Sequence, residues 1–236
     1  MGKYDALFAK QAYIMVKSGS KTKRINEINK NIQHTGFHAD EGLSNRDILY
    51  LVNDKTKEIH IAHRGTDSTG SKKTKTDIRQ DLNFALGREA HDKATKKNVN
   101  RTNNLVKQAP KDYKISMSSH SLGNVAMMES LKKKKEVRRR VSEAHSYNGA
   151  MSPFTNNKVS KAVEKDLKAK VTHHRTKEDL VSINHNNSIG KVITHDTKDL
   201  KKIKKVPSHL NTVFKDLQQL QHHSIDNFVN EDDEKK

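Results

Sequence analysis

The passage from residue 114 to residue 131 limits what this chain can fold into more than any other stretch. Lys114-Ile115-Ser116-Met117-Ser118 has the pattern of a short buried strand, and Val125 to Leu131 has that of a helix. Only Ser119-His120-Ser121-Leu122-Gly123-Asn124 separates them. A strand that turns into a helix within a few residues opens a βα unit, and more units follow. Val141 to Tyr147, Val171 to Arg175 and Lys191 to His195 are strand candidates. Helices are expected over about 157–168 and roughly 209–221. Strands that alternate with helices pair in parallel, because a parallel neighbour needs a crossover long enough to hold a helix. The expected class is therefore α/β, a mostly parallel central sheet flanked by helices.

The N-terminal part reads differently. Residues 5–33 have helix-like patterns, with Ala6, Leu7, Ala9, Ala12, Ile14 and Met15 as apolar members, and residues 34–46 read as a loop with Gly36 and Gly42. Asp47 to Val52 and Glu58 to His63 are strands joined by the polar turn Asn53 to Lys57, so a hairpin is expected. Residues 66–76 read as a polar loop. Ile78, Leu82, Phe84, Ala85 and Leu86 read as a helix face, and residues 88–108 as a further helix with few apolar anchors. With no internal repeat and no linker, residues 1–230 are expected to form one domain, followed by a charged, disordered tail over 231–236.

A tight turn between strand and helix holds a serine hydroxyl above the sheet edge, where it can attack a carbonyl. That makes Ser121 the candidate nucleophile. The N–H of Leu122, the next residue, is aimed at the oxygen that becomes negative. A hydroxyl needs a base, and the base needs an orienting group. In α/β-hydrolases the chain order is serine, acid, histidine. Val171 to Arg175 is followed by Thr176-Lys177-Glu178-Asp179-Leu180-Val181, which puts a carboxylate just past a strand end, on the nucleophile's rim. Asp179 is the first choice and Glu178 the second. Of 14 histidines, His223 lies in a late loop suited to the base, with His222 as the alternative in register. A second oxyanion donor is expected after an early strand, and Ile59 to His63 runs into Arg64-Gly65-Thr66, which nominates Thr66.

Together these residues resemble the class 3 lipase (fungal lipase-like) branch of the α/β-hydrolases, over roughly residues 45–228. That family has a strand ending F-R-G-T or F-R-G-S, then D-W-x-x-D-L, the elbow G-H-S-L-G-G, an Asp before an apolar pair, and a late His. The corresponding segments here are His63-Arg64-Gly65-Thr66, Asp77-Ile78-Arg79-Gln80-Asp81-Leu82, Ser119-His120-Ser121-Leu122-Gly123-Asn124, Asp179 before Leu180-Val181, and His223. The resemblance implies an α/β-hydrolase-like fold, a triad of Ser121, Asp179 and His223, and an oxyanion hole of Thr66 and Leu122. The second segment is looser, with Ile78 in place of tryptophan, and three positions of the oxyanion loop and elbow depart from the family: Ser119 and Asn124 stand in place of glycine, and His63 in place of phenylalanine. The family's lid has an apolar face, whereas Ser68 to Thr76 is Ser, Thr, Gly and Lys. That favours a small or water-soluble ester, or a phospholipid held by its anionic head group, over a triacylglycerol.

Composition narrows the remaining choices. The net charge is +18, with dense cationic runs at Ser71 to Lys75 and at Lys132, Lys133, Lys134, Lys135, Arg138, Arg139 and Arg140. Such a surface attracts polyanions: nucleic acid, an anionic membrane or an acidic partner. The alternative to an enzyme is accordingly a hydrolase-fold structural or binding protein, such as a packaged virion component. Aromatic residues make up 5% and are not interleaved with the runs, which disfavours base stacking. The chain contains no Cys, so disulfides, thiol chemistry and Cys-ligated zinc are excluded. No metal is expected, since His173 and His174 are adjacent on a strand and point to opposite faces. No phosphate loop or dinucleotide fingerprint occurs, and no cofactor is expected. No signal peptide and no apolar run of roughly 18 residues is found, which suggests an intracellular, cytoplasmic or virus-packaged protein. The sequence leaves the oligomeric state open.

Overall fold

The computed structural model describes residues 3–65, 93–150, 159–177, 179, 182, 189–197 and 223–229. The helix expected at 78–86, the loop at 66–76, the helix expected at 209–221 and the tail at 231–236 lie outside the described residues.

Seven strands form one sheet in the order β1 to β7, each beside its successor in the chain. These are β1 (His38–Ala39), β2 (Ile48–Asn53), β3 (Glu58–His63), β4 (Lys114–His120), β5 (Val141–Tyr147), β6 (Val171–Thr176) and β7 (Lys191–His195). The pairs β1/β2 and β2/β3 are antiparallel, and β3 to β7 are parallel throughout. Among the described residues the α-helices are α1 (Asp5–Gln11), α2 (Lys21–Ile32), α3 (Lys93–Gln108), α4 (Gly123–Lys133), α5 (Lys135–Arg140) and α6 (Lys161–Lys170). The expected α/β-hydrolase-like architecture, a mostly parallel sheet between helical layers, is what forms.

Strand residues alternate between two cores, as the pleat requires. Ile48, Tyr50, Ile59, Ile61, Ile115 and Met117 pack with Leu105, Met127, Leu131, Val137 and Leu167 from α3 to α6. Leu49, Leu51 and Ala62 face the other way, onto Leu7, Phe8, Ile28 and Ile32 of α1 and α2. The described crossover helices, α3 to α6, lie on one face for a simple reason. Parallel crossovers have one hand, and here the strand order never reverses, so none is sent to the far side. The far face is left to the N-terminal helices. In α2 the residues Ile25, Ile28 and Ile32 recur at helical spacing and are buried; each contributes about 1.5–3 kcal/mol. Ser20 caps that helix by accepting from the Lys23 N–H at 3.2 Å.

Several boundaries differ from the sequence expectation. The N-terminal helical stretch is interrupted by a tight turn of helix at Ala12–Val16. The loop expected at 34–46 contains β1, held to α2 where the Ala39 N–H donates to Asn29 Oδ1 at 2.6 Å. The helix expected over about 157–168 is α6, which starts where Ser160 caps it. The cationic run after residue 131 holds a separate helix, α5, anchored by buried Val137. Among the described residues no helix is long and apolar enough to cross a membrane.

Candidate active site

β4 ends at His120 and α4 begins at Gly123, so Ser121 and Leu122 make the whole turn. Ser121 has a φ of 52°, the left-handed region that a residue with a side chain adopts only under constraint. Three backbone bonds supply the constraint. The Ser121 N–H donates to the Tyr147 carbonyl at 3.2 Å, and its own carbonyl accepts from the Asn124 N–H at 3.1 Å and the Ala150 N–H at 2.9 Å. The serine is thus locked between β4, the start of α4 and the end of β5.

Neighbouring glycines make this turn possible. A Cβ on Gly123 would lie 2.5 Å from the His63 carbonyl oxygen and 2.7 Å from that of Arg64. One on Gly65 would lie 2.7 Å from both the His120 carbonyl oxygen and Ser121 Cβ. The loop after β3 and the turn after β4 therefore touch through backbone. Arg64 fixes that loop: its guanidinium donates to Asp47 Oδ1 at 2.9 Å and to the Arg46 carbonyl at 3.0 Å, and also reaches the Gly65 carbonyl.

Ser121, Asp179 and His223 come together. His223 Nε2 lies 2.8 Å from Ser121 Oγ, and His223 Nδ1 lies 3.0 Å from Asp179 Oδ1. A carboxylate can only accept, so Nδ1–H donates to Asp179 and Nε2 is left to accept the Ser121 O–H. Asp179 is 3% exposed, and its Oδ2 accepts from the Ser182 N–H at 3.0 Å. Both carboxylate oxygens are thereby committed and its orientation is set. His223 begins a short segment seated on the N-terminal layer. Ile225 and Val229 enter the core beside α1, and Lys10 pairs with Asp226 at 2.8 Å. The alternatives Glu178 and His222 lie outside the described residues.

His120 and Tyr13 carry no role in the sequence motif, yet both support the candidate base. His120 Nε2 donates to the His223 carbonyl at 2.8 Å, and the Tyr13 O–H donates to His120 Nδ1 at 2.6 Å. Burial, and then the neighbouring His223, push the His120 pKa down to about 3, which keeps the ring in this neutral form. His120 stood in the quoted elbow and was visible; Tyr13, 107 residues away in sequence, could not be found from spacing.

The three departures from the family pattern have distinct environments. Ser119 is fully buried and its Oγ has no hydrogen-bond partner among the described residues. Asn124 is buried and its amide donates to the Ala150 carbonyl at 3.0 Å, tying α4 to the loop after β5. Its bulk is accommodated because Gly149 is opposite; a Cβ there would lie 2.8 Å from Asn124 Cβ. His63 faces α3, where Thr102 Oγ1 is 3.3 Å from its Nε2, and burial lowers its pKa to about 4.

Leu122 is half-buried at the N-terminus of α4. The first N–H groups of a helix have no intrahelical acceptor, and the helix dipole favours negative charge there. Thr66, the other expected oxyanion donor, lies outside the described residues, as does Ser68 to Thr76. In the cationic run, Lys132 and Lys133 reach Glu129 at 3.8 and 2.6 Å, and Arg139 pairs with Glu136 at 2.6 Å. Arg138 and Arg140 donate to backbone carbonyls, those of Leu131 and Ala109 among them.

No protein-family model matches the chain, and no curated protein does. Among solved structures it is similar to the Lip2 lipase from Yarrowia lipolytica, with a TM-score of 0.47 and 18% identity, over 82% of this chain and 78% of that one. It is also similar to a mutant form of MDLA from Penicillium cyclopium, with a TM-score of 0.37 and 14% identity, over 87% of this chain and 80% of that one.

Proposed function

We propose that this chain is a serine hydrolase of the esterase or lipase type, cleaving a carboxylic ester through an acyl-enzyme on Ser121. Ser121 Oγ attacks the ester carbonyl while its proton passes to His223 Nε2. Asp179 holds the imidazole in the tautomer that can accept, and stabilises the imidazolium that forms. The Leu122 N–H, with Thr66 as the second donor, stabilises the developing oxyanion. His223 then gives its proton to the leaving alcohol. Water, deprotonated by the same nitrogen, attacks the acyl-enzyme and releases the acid. The observation that carries this reading is the unbroken hydrogen-bond chain from Asp179 through His223 to a serine held at positive φ. The polar composition of Ser68 to Thr76 supports a small or water-soluble ester, or a phospholipid with an anionic head group.

An activity-based fluorophosphonate probe tests the proposal. The folded chain should label covalently, and Ser121→Ala should abolish both labelling and hydrolysis of a short-chain nitrophenyl ester. The loss expected from removing such a nucleophile is about a million-fold in kcat. A chain that is folded by circular dichroism, retains Ser121 and stays unlabelled would overturn the reading. It would leave the hydrolase fold as a scaffold for binding a polyanion through its basic surface. That second use would show as affinity for DNA or anionic vesicles that falls steeply with added salt.

A further inference from the structure

The face of the sheet covered by α1 carries a row of polar side chains that the proposed chemistry does not use. His60 lies on β3, Ser116 and Ser118 on β4, His145 on β5, His174 on β6 and His195 on β7. The His60 nitrogens meet Ser116 Oγ at 2.8 Å and Ser118 Oγ at 2.7 Å. Further along, three imidazoles run in series: His145 Nδ1 is 3.1 Å from His174 Nε2, and His174 Nδ1 is 3.0 Å from His195 Nε2.

The inner end of this series meets two carboxylates. Asp5, the first residue of α1, is 2% exposed, and its Oδ2 lies 3.4 Å from His145 Nε2. Glu143, two residues before His145 and so on the same face of β5, places Oε2 3.7 Å from that nitrogen. Asp5 Oδ2 and Glu143 Oε1 are buried atoms with no hydrogen-bond partner among the described residues. One ligand atom from each of the three residues lies within 4.8 Å of the others. Two anionic groups and a ring nitrogen converging at a buried point need a positive charge between them, or one must give up its own charge.

We propose that Asp5, Glu143 and His145 form a binding site for one divalent transition cation of the zinc class, backed by the imidazoles of His174 and His195. The spacing suits the ion. Ligands about 2.1 Å from a tetrahedral zinc lie about 3.4 Å apart, close to the two separations measured from His145 Nε2. The donor set is one imidazole nitrogen with carboxylate oxygens, which suits zinc or manganese rather than a calcium cage of oxygens or a thiolate site. The outer arrangement suits it too. A ligating histidine donates its other ring N–H to a fixed acceptor, and His145 Nδ1 already faces His174 Nε2. Glu143 is 30% exposed, which gives an ion and a completing water a way in.

The bound ion would clip α1 to β5. Its support also reaches the segment that carries His223, because Phe228 packs against the rings of Tyr147, His174 and His195. The site touches none of the reacting atoms, so it stands whether or not Ser121 is a nucleophile.

The test is titration calorimetry of the full chain, without a polyhistidine tag and stripped with EDTA, against zinc chloride at pH 7.5, with thermal melts alongside. One equivalent should bind saturably, raise the melting temperature, and lose that rise on chelation. Glu143→Gln and His145→Gln should each weaken binding by about 10-fold or more, and His174→Phe, which keeps the ring but not its hydrogen bonds, by about 10-fold. Because Glu143 is partly exposed, Glu143→Gln decides the matter if His145→Gln does not fold. The proposal is overturned if folded wild type shows no stoichiometric binding, or if Glu143→Gln binds zinc as tightly as wild type.

Discussion

The backbone carbonyl of His223 rests on the ring of His120, which donates to it through Nε2 at 2.8 Å. The residue immediately before the candidate nucleophile therefore holds the candidate base, and strand β4 sets the position of both. The neutral ring that donates through Nε2 leaves Nδ1 to accept from Tyr13, so the support of His223 extends back to the N-terminal layer.

Tyr13→Phe removes the O–H that fixes the His120 tautomer and leaves the aromatic packing in place. We expect ester hydrolysis to fall in kcat with KM nearly unchanged, since no group that would touch substrate is altered. Stability should drop by about 1 kcal/mol, the worth of one hydrogen bond. Steady-state kinetics and a thermal melt check both; an unchanged kcat would show that His120 needs no such support.

Asp179→Asn tests the role of the acid without disturbing packing. Asp179 Oδ2 accepts from the Ser182 N–H, so the asparagine carbonyl is held on that side and its NH2 turns toward His223 Nδ1. Two donors then face each other, and the imidazole is driven to the tautomer that cannot accept the Ser121 proton. The expected loss is about 10⁴ in kcat, with a melting curve close to that of wild type. A loss of less than tenfold would remove Asp179 from the mechanism.

Much of this was legible in the sequence where the information is local. The hairpin of β2 and β3 and the strands β4 to β7 follow from alternation and apolar runs, and Ser121, Asp179 and His223 follow from chain order around one turn. What was hidden is non-local or masked by charge. β1 is two residues long and exists because Asn29 and Tyr50 supply partners for the backbone around it. α5 has one buried apolar residue, Val137, in a run otherwise read as cationic surface. Tyr13 and Asp5 reach the sheet from the first helical layer, and no spacing rule links them to His120 or His145.

Ser119 marks a position where the chain departs from glycine at a cost. Its hydroxyl is buried with no partner among the described residues, which typically costs about 1–3 kcal/mol. Ser119→Ala keeps Cβ and removes that oxygen, so it should raise the melting temperature without reducing probe labelling. Asn124→Gly should do the opposite, because it deletes the bond to the Ala150 carbonyl and loosens the start of α4. Chemical denaturation of the two variants separates these effects; a destabilised Ser119→Ala would mean that the hydroxyl is satisfied.

Gly123→Ala should be among the most damaging single changes. The new Cβ would press on the backbone carbonyls of His63 and Arg64, which cannot move aside as a flexible side chain could. Overpacking of this kind costs typically about 1–3 kcal/mol. It would also push α4 away from β3, separating the Leu122 N–H from the loop that carries Thr66. Probe labelling should fall even at temperatures where the variant is folded, and full labelling of a destabilised variant would separate packing from function at this glycine.

Acid should unfold this protein. Burial is the largest cause in lowering His60, His120 and His174 to about 3 and His63 to about 4. In the unfolded chain each would take up a proton below about 6.5. Below that pH the unfolded state binds more protons, so the stability these four contribute is present above about 6.5 and drains as the pH falls toward their folded values. Asp5 works against them. Burial, and then the charge of Glu143, raise its pKa to about 7, so the folded chain keeps a proton that the unfolded chain has released above about 4. Its contribution favours the folded state in acid and fades as the pH rises through 7. These five groups alone leave a net of about three protons, or about 4 kcal/mol of stability per pH unit once well below 6.5; His145 and His195, which burial also lowers, act in the same direction. For a domain at the low end of the usual range, stable by about 5 kcal/mol, that loss puts unfolding between about one and two units below 6.5. Circular dichroism melts between pH 8 and pH 4 should show the fall. Asp5→Asn should start more stable at pH 8 and lose stability more steeply on acidification, while a melting temperature that stays flat down to pH 4.5 would mean the four histidines are not held neutral by the fold.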